Sequence, residues 1–236
     1  MKPSNIKYYL KGYISYKRMT DAPVIIGGCE RSGTSLLLSI ISAAPDIYAI
    51  KEETWAFCYG PEAGFNSQRP IRPLRLLKYI GLEPPKPTHI RWCEKSPANI
   101  FDFDEILHHF NNNAKLIHII RDGRDVVTSI HPNNKATTWV SIDRWIASAS
   151  AGLKHMDNPA VLTIKYEDLI LYFEETATKI CNHINESHSD HIIEWHRHAT
   201  IRTNKNLIGK KYKSSRQNLL GNSSRAISST TLLLRS

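Results

Sequence analysis

The chain has 236 residues, of which 41% are hydrophobic and 22% charged, and its formal net charge is +9. That length suits one α/β domain with a sizeable core, and the composition is that of an ordinary soluble globular protein. No apolar run approaches the roughly 18 residues of a membrane-spanning helix, and the basic surplus favours anionic partners: nucleotide phosphates, nucleic acid, acidic glycans or lipid headgroups.

Residues 1–20 form a basic, aromatic segment without the apolar stretch of a secretory signal, which predicts a cytoplasmic protein. Cys29, Cys58, Cys93 and Cys181 fall at no metal-ligand spacing. They are expected to be reduced thiols, and no zinc site is expected. Short β-branched apolar segments predict buried strands at 24–28, 47–50, 115–120 and 161–166. Between them, helical patterns cover 35–43, 99–110, 125–131, 137–156 and 168–184. In the fourth, Trp139, Ile142, Ile146, Ala149 and Leu153 share one face at helical spacing. Strands alternating with helices predict an α/β fold with a mostly parallel central sheet covered on both sides. Residues 60–86 are proline-rich and break this rhythm, so they are expected to cross the rim of a site. The domain is expected to span 21–200, and 201–236 reads as a polar, basic tail.

The strongest local signal is Val24-Ile25-Ile26-Gly27-Gly28-Cys29-Glu30-Arg31-Ser32-Gly33-Thr34-Ser35. An apolar strand enters a tight turn that opens a helix. Unpaired N–H groups and the helix dipole make such a turn an anion site. Gly33 lets backbone approach the anion, Ser32, Thr34 and Ser35 add hydroxyls, and Arg31 adds a fork of charged donors. An ATP or GTP loop would carry Gly-Lys-[Ser/Thr] here, and no lysine precedes Thr34. The stretch from Ala114 to His131 repeats the grammar, with Arg121 closing a strand and Ser129 eight residues later. Read on a helix that starts at the turn, Ser129 lies two turns in, and the pair could hold one phosphate from two sides.

These residues carry a family resemblance. Arg31–Ser35 resembles the 5′-phosphosulfate loop of sulfotransferases that use 3′-phosphoadenosine 5′-phosphosulfate (PAPS), and Arg121–Ser129 resembles their 3′-phosphate motif. Trp92-Cys93-Glu94-Lys95-Ser96-Pro97 and Tyr166-Glu167-Asp168-Leu169 resemble two further segments of the family, and the likeness spans about residues 22–185. The loop and Glu52-Glu53-Thr54 are similar to the tyrosylprotein branch, in which that segment contributes a catalytic base. The resemblance implies a three-layer, P-loop-like fold, PAPS as co-substrate and 3′-phosphoadenosine 5′-phosphate (PAP) as product. The family's basic, glycine-containing C-terminal segment has only a faint counterpart in Ile208–Lys211.

Sulfuryl transfer through a loose in-line transition state needs positioning and charge stabilisation more than covalent help. No metal is required, because sulfuryl oxygens carry less charge than a terminal phosphoryl's. Arg31 and the loop amides are expected at the bridging and leaving oxygens, with Lys95 as a second cation. The acceptor hydroxyl, on a carbohydrate, lipid or tyrosine, needs a proton acceptor. Glu53 is the first candidate, Glu52 the second, and Glu94 and His131 follow. Tyr166–Leu169 is read as structural, with Asp168 capping a helix. No nucleic-acid partner is expected. A small-molecule or nucleotide kinase and a non-catalytic PAPS-binding module are the alternatives.

Overall fold

The computed structural model describes residues 6–58, 71–131 and 134–201. Five strands form one sheet in the order β2-β3-β1-β4-β7: β1 is Val24–Gly28, β2 Ile47–Ala49, β3 Arg91–Lys95, β4 Lys115–Ile120 and β7 Val161–Lys165. Every pairing in it is parallel. Parallel strands need helices on both faces, and two apolar clusters show them. On one face, Val24, Ile26 and Ile117 pack with Leu37, Leu38 and Ile41 of α2 (Thr34–Ile41) and with Ala177, Ile180 and Ile184 of α8 (Phe173–Ile184). On the other, Ile25, Leu116 and Trp92 pack with Leu76 and Ile80 of α3 (Pro73–Leu82), with Ile100 of a 3-10 segment (Pro97–Asp102) and with Ile106 of α4 (Phe103–His109). No helix among the described residues is long and apolar enough to cross a membrane.

Several local readings shift. The strand β3 was not foreseen. The helix expected at 125–131 is the five-residue α5 (Gly123–Val127), capped by Asp122, whose carboxylate accepts from Arg124 N at 2.9 Å. Ile130–His131 (β5) then pairs with Asn134–Thr138 (β6) in an antiparallel hairpin, so Ser129 lies beyond the helix. The long helix begins only at Ile142 (α6, Ile142–Leu153), where Ser141 Oγ caps Arg144 N. Its apolar stripe is not core. Ile142 is 63% exposed and Ile146 50%, while Ala149 is buried, because α6 turns its small and polar residues Ser148, Ala149 and Gly152 to the sheet. The proline-rich stretch contains α3, while 59–70 and 202–236, with the tail and its faint glycine-containing segment, lie outside the described residues.

Residues 6–18 form α1 (Ile6–Arg18), which crosses α3 at very short range. A Cβ on Gly12 would come 1.9 Å from the Leu77 carbonyl oxygen, and one on Gly81 would come 1.8 Å from that of Tyr8. The two backbones therefore touch where neither residue has a side chain.

Close packing also fixes a titration. His118 on β4 is 1% exposed, and Gly152 of α6 lies against its ring, where a Cβ would approach Cε1 to 2.1 Å. Burial, and then the neighbouring His155, lower its pKa to about 4. The folded value lies below the ordinary one, so the unfolded chain takes up the proton first. The stability from a neutral His118 is complete above about pH 6.5 and is lost as pH falls toward 4, a change of up to about 3 kcal/mol. Urea midpoints at pH 7 and 4.5 should separate accordingly, and His118→Gln should narrow the gap. An unchanged gap would assign the acid sensitivity to other groups.

Candidate active site

The carboxyl ends of β3, β1 and β4 lie side by side, since Ile26 is in register with Lys95 and Gly28 with Ile119. Three loops therefore emerge together where open α/β sheets bind ligands. From β1 the chain turns through residues 29–33 into α2. Two conformations make the turn possible: Arg31 has φ 68° and Gly33 φ 97°. A side chain at Gly33 would also strike Tyr166, whose Cδ2 lies 2.5 Å from an ideal Cβ. Ser32 N donates to Cys29 O at 3.2 Å, and Leu37 N to Gly33 O at 3.0 Å, starting the helix. Gly33 is the N-cap and supplies no side chain to the first amides of α2. Ser32 is fully buried and its hydroxyl has no partner among the described residues. Thr34 is buried and Ser35 half-buried.

The turn is anchored from behind. Arg144 of α6 donates through Nη2 and Nε to the Glu30 carboxylate at 2.8 and 3.1 Å, a two-point grip with the guanidinium 9% exposed. Beside it the Cys29 thiol is pushed up to about 12 by burial and then by Glu30, so it stays a neutral thiol. All four cysteines are free and buried.

On the β4 side the expected basic residues converge. Arg31 Nε donates to Ser129 Oγ at 3.3 Å, and Arg121 Nη1 donates to the Arg31 carbonyl at 3.3 Å. Ser129 thus reaches the site from the turn after α5. The Arg121 guanidinium lies 4.4 Å from the Tyr166 ring centre and pairs with Asp125 at 3.0 Å. Its Nε is buried without a partner among the described residues, a donor that an anion could use. Trp145 Nε1 donates to Arg121 O at 3.1 Å, and Asp122 N donates to Glu167 Oε1 at 2.9 Å, fixing the strand end. Tyr166 therefore rests on both the loop glycine and Arg121. Asp168 does not cap its helix, α7 (Tyr166–Leu171), whose N-cap is Lys165.

On the β3 side Lys95 is 6% exposed, and its Nζ donates to Glu53 Oε1 at 2.6 Å. Glu53 follows β2 and is half-buried, whereas Glu52 is exposed. The loop that carries them is held by Glu94, which is fully buried. The Glu94 Oε1 accepts from Thr54 N at 3.1 Å, Thr54 Oγ1 at 2.9 Å and Ser96 Oγ at 2.6 Å, and Oε2 accepts from Asn99 Nδ2 at 2.7 Å. Burial raises the Glu94 pKa, while these donors hold it down. So enclosed, Glu94 serves as a structural knot and not as a base for an incoming hydroxyl. Asn99 also donates to Ile26 O at 3.1 Å, linking the Glu53 loop to the strand that feeds the anion turn. Arg75 of α3 donates to Thr54 O at 2.7 Å, and Arg72 to Cys58 O at 2.7 Å. The His131 side chain lies outside the described residues.

Residues 74–190 match the model of the Sulfotransferase family. The match is to sulfotransferases. It covers Lys95, Arg121 and Ser129 but begins after the 29–35 turn. Among solved structures, a sulfotransferase from Mycobacterium tuberculosis H37Rv is 15% identical and superimposes with a TM-score of 0.59 over 92% of this chain and 80% of its own. The sulfotransferase domain of the Synechococcus PCC 7002 olefin synthase is 19% identical, with a TM-score of 0.51 over 74% and 77%. The sulfotransferase domain from the curacin biosynthetic pathway is 13% identical, with a TM-score of 0.53 over 81% and 83%. At such identities the shared property is the fold, a five-stranded parallel sheet of the P-loop type. No curated protein matches this sequence.

Proposed function

We propose that this chain is a sulfotransferase that binds PAPS and transfers its sulfuryl group to an acceptor hydroxyl. One observation carries the reading: an anion turn without a lysine stands between an Arg31–Ser129–Arg121 cluster and a Lys95–Glu53 pair. The first side suits the 3′-phosphate, through Arg121 and Ser129. The turn, with the α2 amides, suits the 5′-phosphosulfate. The second side suits the reacting end. Glu53 accepts the proton of the acceptor hydroxyl as the new oxygen–sulfur bond forms and the bond to the bridging oxygen breaks. Lys95, Arg31 and the turn amides offset the charge that develops on the leaving PAP. The acceptor is a hydroxyl of a carbohydrate, a lipid or a tyrosine, and Glu52-Glu53-Thr54 favours the tyrosylprotein manner of placing the base.

Calorimetry with PAP and with ATP, each with and without added Mg²⁺, tests the nucleotide. PAP should bind whether or not Mg²⁺ is added, and ATP should not compete. Tight binding of ATP with Mg²⁺ and none of PAP would make the chain a kinase. Arg121→Ala should weaken binding of PAP by about 10-fold or more, the scale of one charged hydrogen bond, and weaken adenosine 5′-phosphosulfate much less. Equal weakening of both would remove Arg121 from the 3′-phosphate.

A further inference from the structure

Asp46, Glu186 and His188 meet at the opposite end of the sheet from the anion turn. Asp46 stands just before β2, and the other two follow α8. One ligand atom from each lies within 4.8 Å of the others. The Glu186 side chain has 0% exposure, and its Oε2 has no hydrogen-bond partner among the described residues. Asp46 Oδ1 is buried and equally without one. The other Glu186 oxygen is engaged, accepting from His188 N at 2.7 Å and lying 3.1 Å from His188 Nδ1. The neighbouring cation is Arg91, whose guanidinium is turned to Ile184 O, to Asn185 O at 3.2 Å and to Asp21 at 3.7 Å. Burial, and then the facing Glu186, push the Asp46 carboxyl up, although Arg91 opposes this.

Two buried carboxylate oxygens facing each other without donors are costly unless something positive lies between them. A shared proton is one solution and a metal ion is the other. We propose that Asp46, Glu186 and His188 form a binding site for a divalent first-row metal ion of the zinc or manganese kind. Two carboxylates and one imidazole give the mixed oxygen and nitrogen donors that suit these ions, whereas magnesium and calcium favour oxygen alone. Spacings below 4.8 Å need only small side-chain shifts to close around an ion with ligand bonds of about 2.0–2.2 Å. The His188 side chain is 47% exposed and opens the site to solvent, so an ion can enter and keep a water. The ion joins the start of β2 to the link between α8 and α9 (Ser189–Ile193), remote from the nucleotide, and its role is to hold the fold.

The test is thermal unfolding of the whole chain with and without zinc chloride. At a hundredfold excess over Kd, the ion should raise Tm by about 5–10 °C. Glu186→Gln removes one carboxylate ligand at nearly unchanged size and places an amide donor beside Asp46, so it should fold and lose that rise. His191 and His198 stack at 4.2 Å and offer a rival surface grip, so the variant His191→Ala/His198→Ala should keep it. No rise in the native chain, a rise surviving Glu186→Gln, or a rise lost only with the surface histidines would each overturn the proposal. PAP binding, measured separately, should be unchanged in Glu186→Gln.

Discussion

Replacing Glu53 by glutamine should lower sulfuryl turnover by at least about 10²-fold while leaving PAP affinity nearly unchanged. The amide keeps the size of the side chain but cannot take the acceptor's proton. Glu53 is the carboxylate next to Lys95, at 2.6 Å, and is half-buried, so its orientation is fixed by that pair. Glu52 is exposed, and Glu52→Gln should reduce turnover only slightly. Steady-state rates at saturating PAPS, alongside PAP calorimetry, separate the outcomes. An inactive Glu52→Gln beside an active Glu53→Gln would exchange the two roles. Near-normal turnover in both would remove this segment from proton transfer.

The second large effect is on stability. Glu94→Gln should cost about 3 kcal/mol or more, read from urea unfolding at pH 7. All four groups on the Glu94 carboxylate are placed to donate, and two of them, Thr54 N and Asn99 Nδ2, have no other option. A glutamine must turn its own amide toward Thr54, where donor faces donor, or toward Asn99, which can accept it only by flipping and leaving Ile26 O without its donor. Because Thr54 adjoins Glu53, turnover should fall as well. A loss below about 1 kcal/mol would mean that Glu94 is protonated in the native state and that its hydroxyl neighbours reverse their hydrogen bonds.

Four strands were legible in the sequence because β1, β4 and β7 are short, branched and apolar, and β2 is weakly so. The fifth, Arg91-Trp92-Cys93-Glu94-Lys95, was not, since three of its five residues are charged and a buried parallel strand normally reads as an apolar run. Each charge is answered by a partner far along the chain: Ile184 O for Arg91, Thr54 for Glu94 and Glu53 for Lys95. Such partners leave no local pattern. The α6 stripe shows the converse. Its period announced a helix correctly, but period does not say which face meets the sheet, and Gly152 against His118 decides that. At the candidate site, residue types and spacing pointed to Arg31, Arg121 and Ser129, which the fold brings together. They could not reveal Tyr166, a residue that reads as ordinary strand-end packing.

The crossing of α1 over α3 has a consequence for how this chain can vary. The Leu77 carbonyl oxygen occupies the space that a side chain at 12 would need, 1.9 Å from the added carbon, and the Tyr8 carbonyl oxygen the space for one at 81, at 1.8 Å. Even alanine at one position meets main chain, which has no rotamer to move aside. A change at either glycine must therefore be accompanied by a shift of a whole helix. Each position is thereby closed to any side chain by main chain of the opposite helix, although both lie far from the chemistry.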